Sequence, residues 1–328
     1  MYNNPINREG NAAAAMKGYI TLPFYTDTGV SIRYLDQYEV VNYAGVDRGS
    51  AFFKEMLINE GIILKKRSNQ HHDSEETILA IEPHPDDFAL SAAGFVLEKI
   101  AEGFSCTVLN IFSRTALKNF PWKNKIKISE TELEEQRLLE SKLAVEDYLG
   151  QRFSSLKMPL ASLRGNSNIF SDKHSENDLV KELASILTLE IKRSKPKIIL
   201  CPLGVQGHID HLVVFDAVIE AYKRTGGSFE LILYQEYPYS RNLSAYNSRL
   251  ESVARKIKMS PLYIPVDDHL ETICDLIITY KTQFDDINRQ QMLAVIREDY
   301  RAIGAEAKDT KMGSSELMQK YFRVEGIL

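Results

Sequence analysis

Residues 77–87 read Thr-Ile-Leu-Ala-Ile-Glu-Pro-His-Pro-Asp-Asp. A short apolar run closed by two prolines describes a buried β-strand that stops in a tight turn. The turn is rich in groups that bind cations or move protons: Glu82, His84, Asp86 and Asp87. Moving outward, residues 88–102 have helical periodicity and Ser-Cys-Thr-Val-Leu-Asn-Ile-Phe, 105–112, is a second apolar run. Strand, helix and strand in this order open a doubly wound α/β arrangement.

The alternation continues to the end of the chain. Helices are expected from about 130 to 149, 177 to 192, 212 to 222 and 245 to 256, with two more near the C-terminus. Between them lie the strand-like runs 197–203 (KIILCPL), 231–237 (LILYQEY) and 262–267 (LYIPVD). Apolar strands covered on both faces imply a Rossmann-like, mostly parallel sheet flanked by helices. In such sheets ligands bind at the carboxyl ends of the strands.

Upstream, Lys65 to Glu76 is polar and aperiodic and reads as a linker. It divides the chain into a small accessory unit, 1–75, and a main domain, 76–328. The accessory unit holds short strand-like runs at 18–25 and 31–45 and a helix-like run at 50–60.

Composition narrows the function classes. The 328 residues carry 40 basic and 45 acidic side chains, a net charge of -5, with no Lys/Arg block that would follow a phosphate backbone, so nucleic acid is not the expected partner. No window approaches a membrane span. The opening residues MYNNPINREGNAAAAMKGY lack the pattern of a secretory leader, and the expected location is cytoplasmic. Cys106, Cys201 and Cys274 are odd in number and widely spaced, as reduced core thiols are.

A second reactive cluster, Gly207-His208-Ile209-Asp210-His211, follows the strand at 197–203. Both clusters leave the same edge of the expected sheet, so the intervening chain does not keep them apart. Two imidazoles and a carboxylate with one open position describe a catalytic zinc site, and His84, Asp87 and His211 supply that set. Asp86 then remains beside the metal as a general base for a zinc-bound water. His208 is placed to hydrogen-bond the oxyanion or to protonate the leaving nitrogen, and Asp210 to orient an imidazole. No G-x-G-x-x-G follows the first strand, which argues against a dinucleotide enzyme, and a two-metal phosphoesterase would want more carboxylates.

The pair P-H-P-D-D and G-H-x-D-H resembles the PIG-L/LmbE-like family of zinc-dependent N-deacetylases. The resemblance implies zinc ligands His84, Asp87 and His211, one zinc per chain, Asp86 as base and His208 assisting. It extends to residues 134–150, EEQRLLESKLAVEDYLG, where it makes Arg137 a substrate contact with Glu140 as companion. The competing reading of Arg137 is an exposed charge on an amphipathic helix. Looser matches are Tyr280 and Gln283 in 279–284 and the segment 314–325.

The sequence departs from the family pattern at Phe88 and Ala92-Ala93-Gly94, and at 113–125, SRTALKNFPWKNK, a basic and aromatic insertion. There Arg114 is a candidate substrate contact, with Phe120 and Trp122 nearby. The expected activity is removal of an N-acetyl or other N-acyl group from an amino-sugar-containing molecule. The rival is a catalytically silent binding protein using the same pocket, and a homo-oligomer stays open. His71, His72, His174 and His269 are left outside the site.

Overall fold

A computed structural model describes four short strands between residues 20 and 41, and residues 76–328 apart from 116–128, 167, 171–175 and 285–286. The expected helix at 50–60, the linker, and Phe120, Trp122 and His174 lie outside the described residues. The short strands are β1 (Ile20–Thr21), β2 (Phe24–Thr26), β3 (Gly29–Leu35) and β4 (Tyr38–Val41). They pair in the order β1-β4-β3-β2, with β1 and β4 parallel and the other pairs antiparallel.

The main sheet comprises β5 (Thr77–Glu82), β6 (Ser105–Arg114), β7 (Arg152–Pro159), β8 (Ile198–Pro202), β9 (Glu230–Tyr234), β10 (Ile257–Pro265) and β11 (Met318–Ile327). Its order is β10-β11-β9-β8-β5-β6-β7. From β9 through β7 every neighbouring pair is parallel, whereas β11 runs antiparallel to both β9 and β10. Chain order reverses between β5 and β8: β6 and β7 extend the sheet to one side of β5, then β8 and β9 to the other. This is the switch point at which doubly wound sheets open a crevice.

Strand alternation explains why these apolar runs fold as central strands. Ile78, Ala80, Ile198, Leu200 and Ile232 join one hydrophobic core, while Leu79, Ile81, Ile199, Cys201 and Leu231 join the other. Helices close the two faces. α1 (Ala93–Ala101), α6 (Leu270–Ile278), α7 (Lys281–Phe284) and α8 (Arg289–Asp309) pack on the first, and α3 (Asn177–Ser194) and α4 (Ile209–Arg224) on the second. α2 (Glu130–Lys142) packs on the first face, and α5 (Leu243–Ala254) on the second.

Local signals set the helix starts. Ser129 and Glu132 form a reciprocal capping box at α2, as Asn288 and Gln291 do at α8. Gly94 lies so close to the Gln319 side chain that an added Cβ would stand 2.2 Å from Oε1, and its N–H donates to that oxygen. A glycine at this point of the helix after the first cluster lets it pack closely against Gln319 of β11.

Two strands and one helix start go beyond the sequence expectations. β7 alternates exposed and half-buried residues at the sheet edge, and β11 carries Lys320 and Arg323 within its ten residues. α4 begins at Ile209 rather than near 212, so the second reactive cluster lies in its first turn. The three cysteines are buried and free. No helix among the described residues is long and apolar enough to cross a membrane.

Candidate metal centre

The two clusters meet at the switch point, where β5 and β8 end. Pro83 and Pro85 shape the first turn, in which Asp87 N–H donates to the His84 carbonyl and the His84 N–H to Asp87 Oδ2 at 2.8 Å. Between them Asp86 has φ 117°, a backbone conformation unusual for any residue but glycine. Such conformations cost on the order of 1–3 kcal/mol and persist where surrounding bonds enforce them. Here Asp86 C=O accepts from Leu90 N–H, and Arg137 Nη2 donates to the adjacent Pro85 carbonyl at 2.8 Å.

The second cluster is positioned by the start of α4. His208 is the N-cap, and its Nδ1 accepts the Asp210 N–H at 3.2 Å. That leaves Nε2 as the N–H of a neutral ring. Burial, together with neighbouring His84 and His211, pushes this imidazole down to about 2. His208 is therefore a neutral ring with its N–H on Nε2.

Hydrogen-bond partners assign the tautomers of the other two rings. His84 Nε2 lies 2.9 Å from Asp210 Oδ2, and His211 Nδ1 lies 2.8 Å from Glu236 Oε1. Carboxylates only accept, so each takes the proton of its ring and leaves the opposite nitrogen with a lone pair. Those free nitrogens, His84 Nδ1 and His211 Nε2, are 3.3 Å apart. Asp87 Oδ2 stands 3.5 Å from the first and 3.4 Å from the second.

Three electron-pair donors at the corners of such a triangle need a positive charge between them. Ligand atoms arranged tetrahedrally on zinc bonds of ~2.1 Å stand about 3.4 Å from one another, so the donor set fits a zinc ion. His208 also offers a ring nitrogen within 4.8 Å of those of His84 and His211. The tighter triangle includes Asp87 in its place, and Nδ1 of His208 is engaged by the backbone. Electrostatics point the same way. Burial opposes a charge on His84, but its bonds to Asp210 and Asp87 outweigh burial and hold it up to about 9, so at neutral pH in the metal-free site Nδ1 carries a proton in the place where a cation would displace it. Burial likewise opposes ionisation of Asp87, yet His211 and His84 bring it down to about 2.

Asp86 is set apart from its neighbour. Burial raises its carboxyl to about 7, with Arg137 opposing the rise. The Arg137 guanidinium is 3.7 Å from Asp86 Oδ1 and is itself buried. The exposed-charge reading of Arg137 is thereby overturned. Glu140, one turn further along α2, is buried and accepts from Thr282 N–H at 2.9 Å and Thr282 Oγ1 at 2.5 Å. Arg114 is exposed at the end of β6.

Four residues of the site were outside the sequence reading. Glu236 follows β9 and, besides His211, receives the N–H groups of Gly204 and Val205. Arg164 binds Asp210 Oδ1 at 2.7 Å. Tyr239 places its ring 5.5 Å from that of His211, and Phe170, 40% exposed, stands edge-on to His208 at 5.3 Å. The sequence clue for Glu236 was a carboxylate just past a third strand end on the edge that carries both clusters.

The profile of the PIG-L family, described as GlcNAc-PI de-N-acetylase, matches residues 79–222. 2'-N-acetylparomamine deacetylase of Streptomyces fradiae is 28% identical over 165 residues, covering 49% of this chain and 57% of that protein. The chain thus spans little more than half the length of that curated relative. Among solved structures, the A40926 pseudoaglycone deacetylase Dbv21 superposes with a TM-score of 0.59 at 23% identity, over 75% of this chain and 96% of that one. Teicoplanin deacetylase Orf2, in a zinc-inhibited form, superposes with a TM-score of 0.57 at 17% identity, over 77% and 98%. At these identities the superpositions establish the fold.

Proposed function

Residues 79–222 belong to the PIG-L family, and from that premise we propose that the chain is a zinc-dependent N-deacetylase acting on an amino-sugar-containing substrate. The observation that carries the reading is the triangle of His84 Nδ1, His211 Nε2 and Asp87 Oδ2, with Asp86 next to Asp87 and facing Arg137. The relatives named above, deacetylases of 2'-N-acetylparomamine and of the A40926 pseudoaglycone, support an N-acetyl group as the one removed.

His84, Asp87 and His211 would hold one zinc per chain. When bound, it would polarise the amide carbonyl and acidify water. Asp86 accepts a proton from the attacking water as the water oxygen bonds to the carbonyl carbon. Its pKa near 7 suits a base that must later release the proton. His208, kept neutral, donates its Nε2–H to the oxygen that gains charge. The proton on Asp86 passes to nitrogen as the C–N bond breaks, giving the free amine and acetic acid, which ionises. Arg137 steadies the turn that holds Asp86, while Arg114 at the end of β6 and the Phe170 and Tyr239 rings would meet the sugar.

The test couples zinc content of the purified chain to amine release from N-acetylglucosamine and its glycosides, with and without chelator. Chelator-sensitive release restored by zinc is the expected result. A zinc-loaded chain that releases no amine from any member of the panel would instead indicate a silent binding pocket.

A further inference from the structure

We infer that Arg164 is a positioning residue of the metal centre, fixing through Asp210 the nitrogen that His84 offers to a cation. This rests on the metal reading given above. Arg164 ends the short turn Ala161–Arg164 that follows β7, and Gly165 at φ 89° turns the chain back over it. Its side chain then spans the gap to α4. One Nη2 reaches both Asp210 Oδ1 at 2.7 Å and Glu176 Oε2 at 2.6 Å. Nε donates to Glu176 Oε1 at 3.0 Å, Nη1 donates to the Pro159 carbonyl, and the guanidinium lies 4.7 Å from the centre of the Phe112 ring. Glu176 is fixed in turn by Asn166 Nδ2 at 2.7 Å.

A guanidinium held along every edge and on one face has a single orientation. Asp210 inherits that orientation. Its Oδ1 is tied to Arg164, so its Oδ2 is aimed at the Ala161 N–H, 3.2 Å, and at His84 Nε2, 2.9 Å. With the proton of His84 kept on Nε2, the Nδ1 lone pair faces Asp87 and His211. Remove the guanidinium and Asp210 keeps only the Ala161 N–H and the ring itself as partners, so the carboxylate that sets the tautomer and tilt of His84 is held less firmly. A lysine would retain the charge but could not bridge two carboxylates and a carbonyl from one plane. The chain of contacts Glu176–Arg164–Asp210–His84 joins the segment after β7 to the turn after β5.

The experiment measures zinc affinity by competition with a chromophoric chelator, and the visible spectrum of the cobalt-substituted full chain. The variants are Arg164→Met, Arg164→Lys, Glu176→Gln, Asp210→Asn and the double variant Arg164→Met/Asp210→Asn. Loss of an outer partner of a metal-bound histidine weakens affinity roughly 10- to 100-fold, which is the expectation for Asp210→Asn; Arg164→Met, one contact further out, loses up to about tenfold, with altered cobalt bands. Arg164→Lys recovers part of the loss, and Glu176→Gln shows a smaller loss. The double variant binds zinc no more weakly than Asp210→Asn alone, since both changes cut one chain of contacts. Affinity of Arg164→Met within about twofold of wild type with unchanged bands, or losses that add in the double variant, would overturn the assignment. Should Arg164→Met fail to fold, Glu176→Gln with wild-type affinity and spectrum overturns it equally. A wild-type chain that takes up no zinc overturns the metal reading itself.

Discussion

Glu236 accepts the Nδ1 proton of His211 across 2.8 Å, although one residue follows β9 and the other lies in the first turn of α4. The same carboxylate receives the Gly204 and Val205 N–H groups, so it ties the loop after β8 to the imidazole. Glu236→Gln retains an acceptor for His211 but removes the negative charge that strengthens the ring as a ligand. Zinc affinity is expected to fall about tenfold. Chelator competition checks this, and an unchanged affinity would show that the charge on Glu236 does not reach the metal position.

Asp86 differs from Asp87 by one position and by role. Asp87 is drawn down to about 2 by the two imidazoles it faces, whereas Asp86 is held near 7 by burial. Asp86→Asn should keep zinc binding within about twofold and lower kcat by roughly 10²- to 10⁴-fold, the usual contribution of a general base. Measuring zinc content and turnover on the same preparation separates base from ligand: a variant that loses the metal would make Asp86 a ligand.

Arg137 tunes that base. Its guanidinium opposes the effect of burial on Asp86, so replacing it with methionine raises the Asp86 pKa further. A base must be ionised to act, so the acidic limb of the kcat/KM profile should move to higher pH in Arg137→Met. Activity near pH 9 should then recover more fully than activity at pH 6. A limb that stays in place while KM rises would return Arg137 to the substrate-contact role that the family resemblance implies.

The parts of this molecule that were legible in its sequence are those where one local stretch carries both signals. TILAIE announces a buried strand and PHPDD its reactive end; KIILCPL and GHIDH repeat the combination. What was not legible depends on distant partners. β11 is a strand because β9 and β10 receive it on either side, with Phe322 opposite Leu233 and Pro261. Its lysine and arginine hide the pattern. The start of α4 was masked because histidine is a rare N-cap beside Ser, Thr, Asp or Asn. Arg164 reads as a surface charge until folding brings Asp210 and Glu176 to it.

Buried Glu140 gives a prediction about stability. Burial raises its carboxyl from 4.5 to about 7, despite the hydrogen bonds from Thr282. A carboxyl whose folded pKa lies above its unfolded value makes the native state bind the proton more tightly. Its contribution is therefore fully present below pH about 4.5 and is lost as pH rises through about 7. At one decade per 1.36 kcal/mol, the contribution is about 3 kcal/mol. Glutamine keeps the shape and a hydrogen-bonding carbonyl without an ionisable proton. Glu140→Gln should accordingly unfold at a higher urea concentration than wild type at pH 8, with the advantage shrinking toward pH 5. An advantage that does not vary with pH would mean that Glu140 titrates normally and that Arg137, on the same helix, compensates its charge.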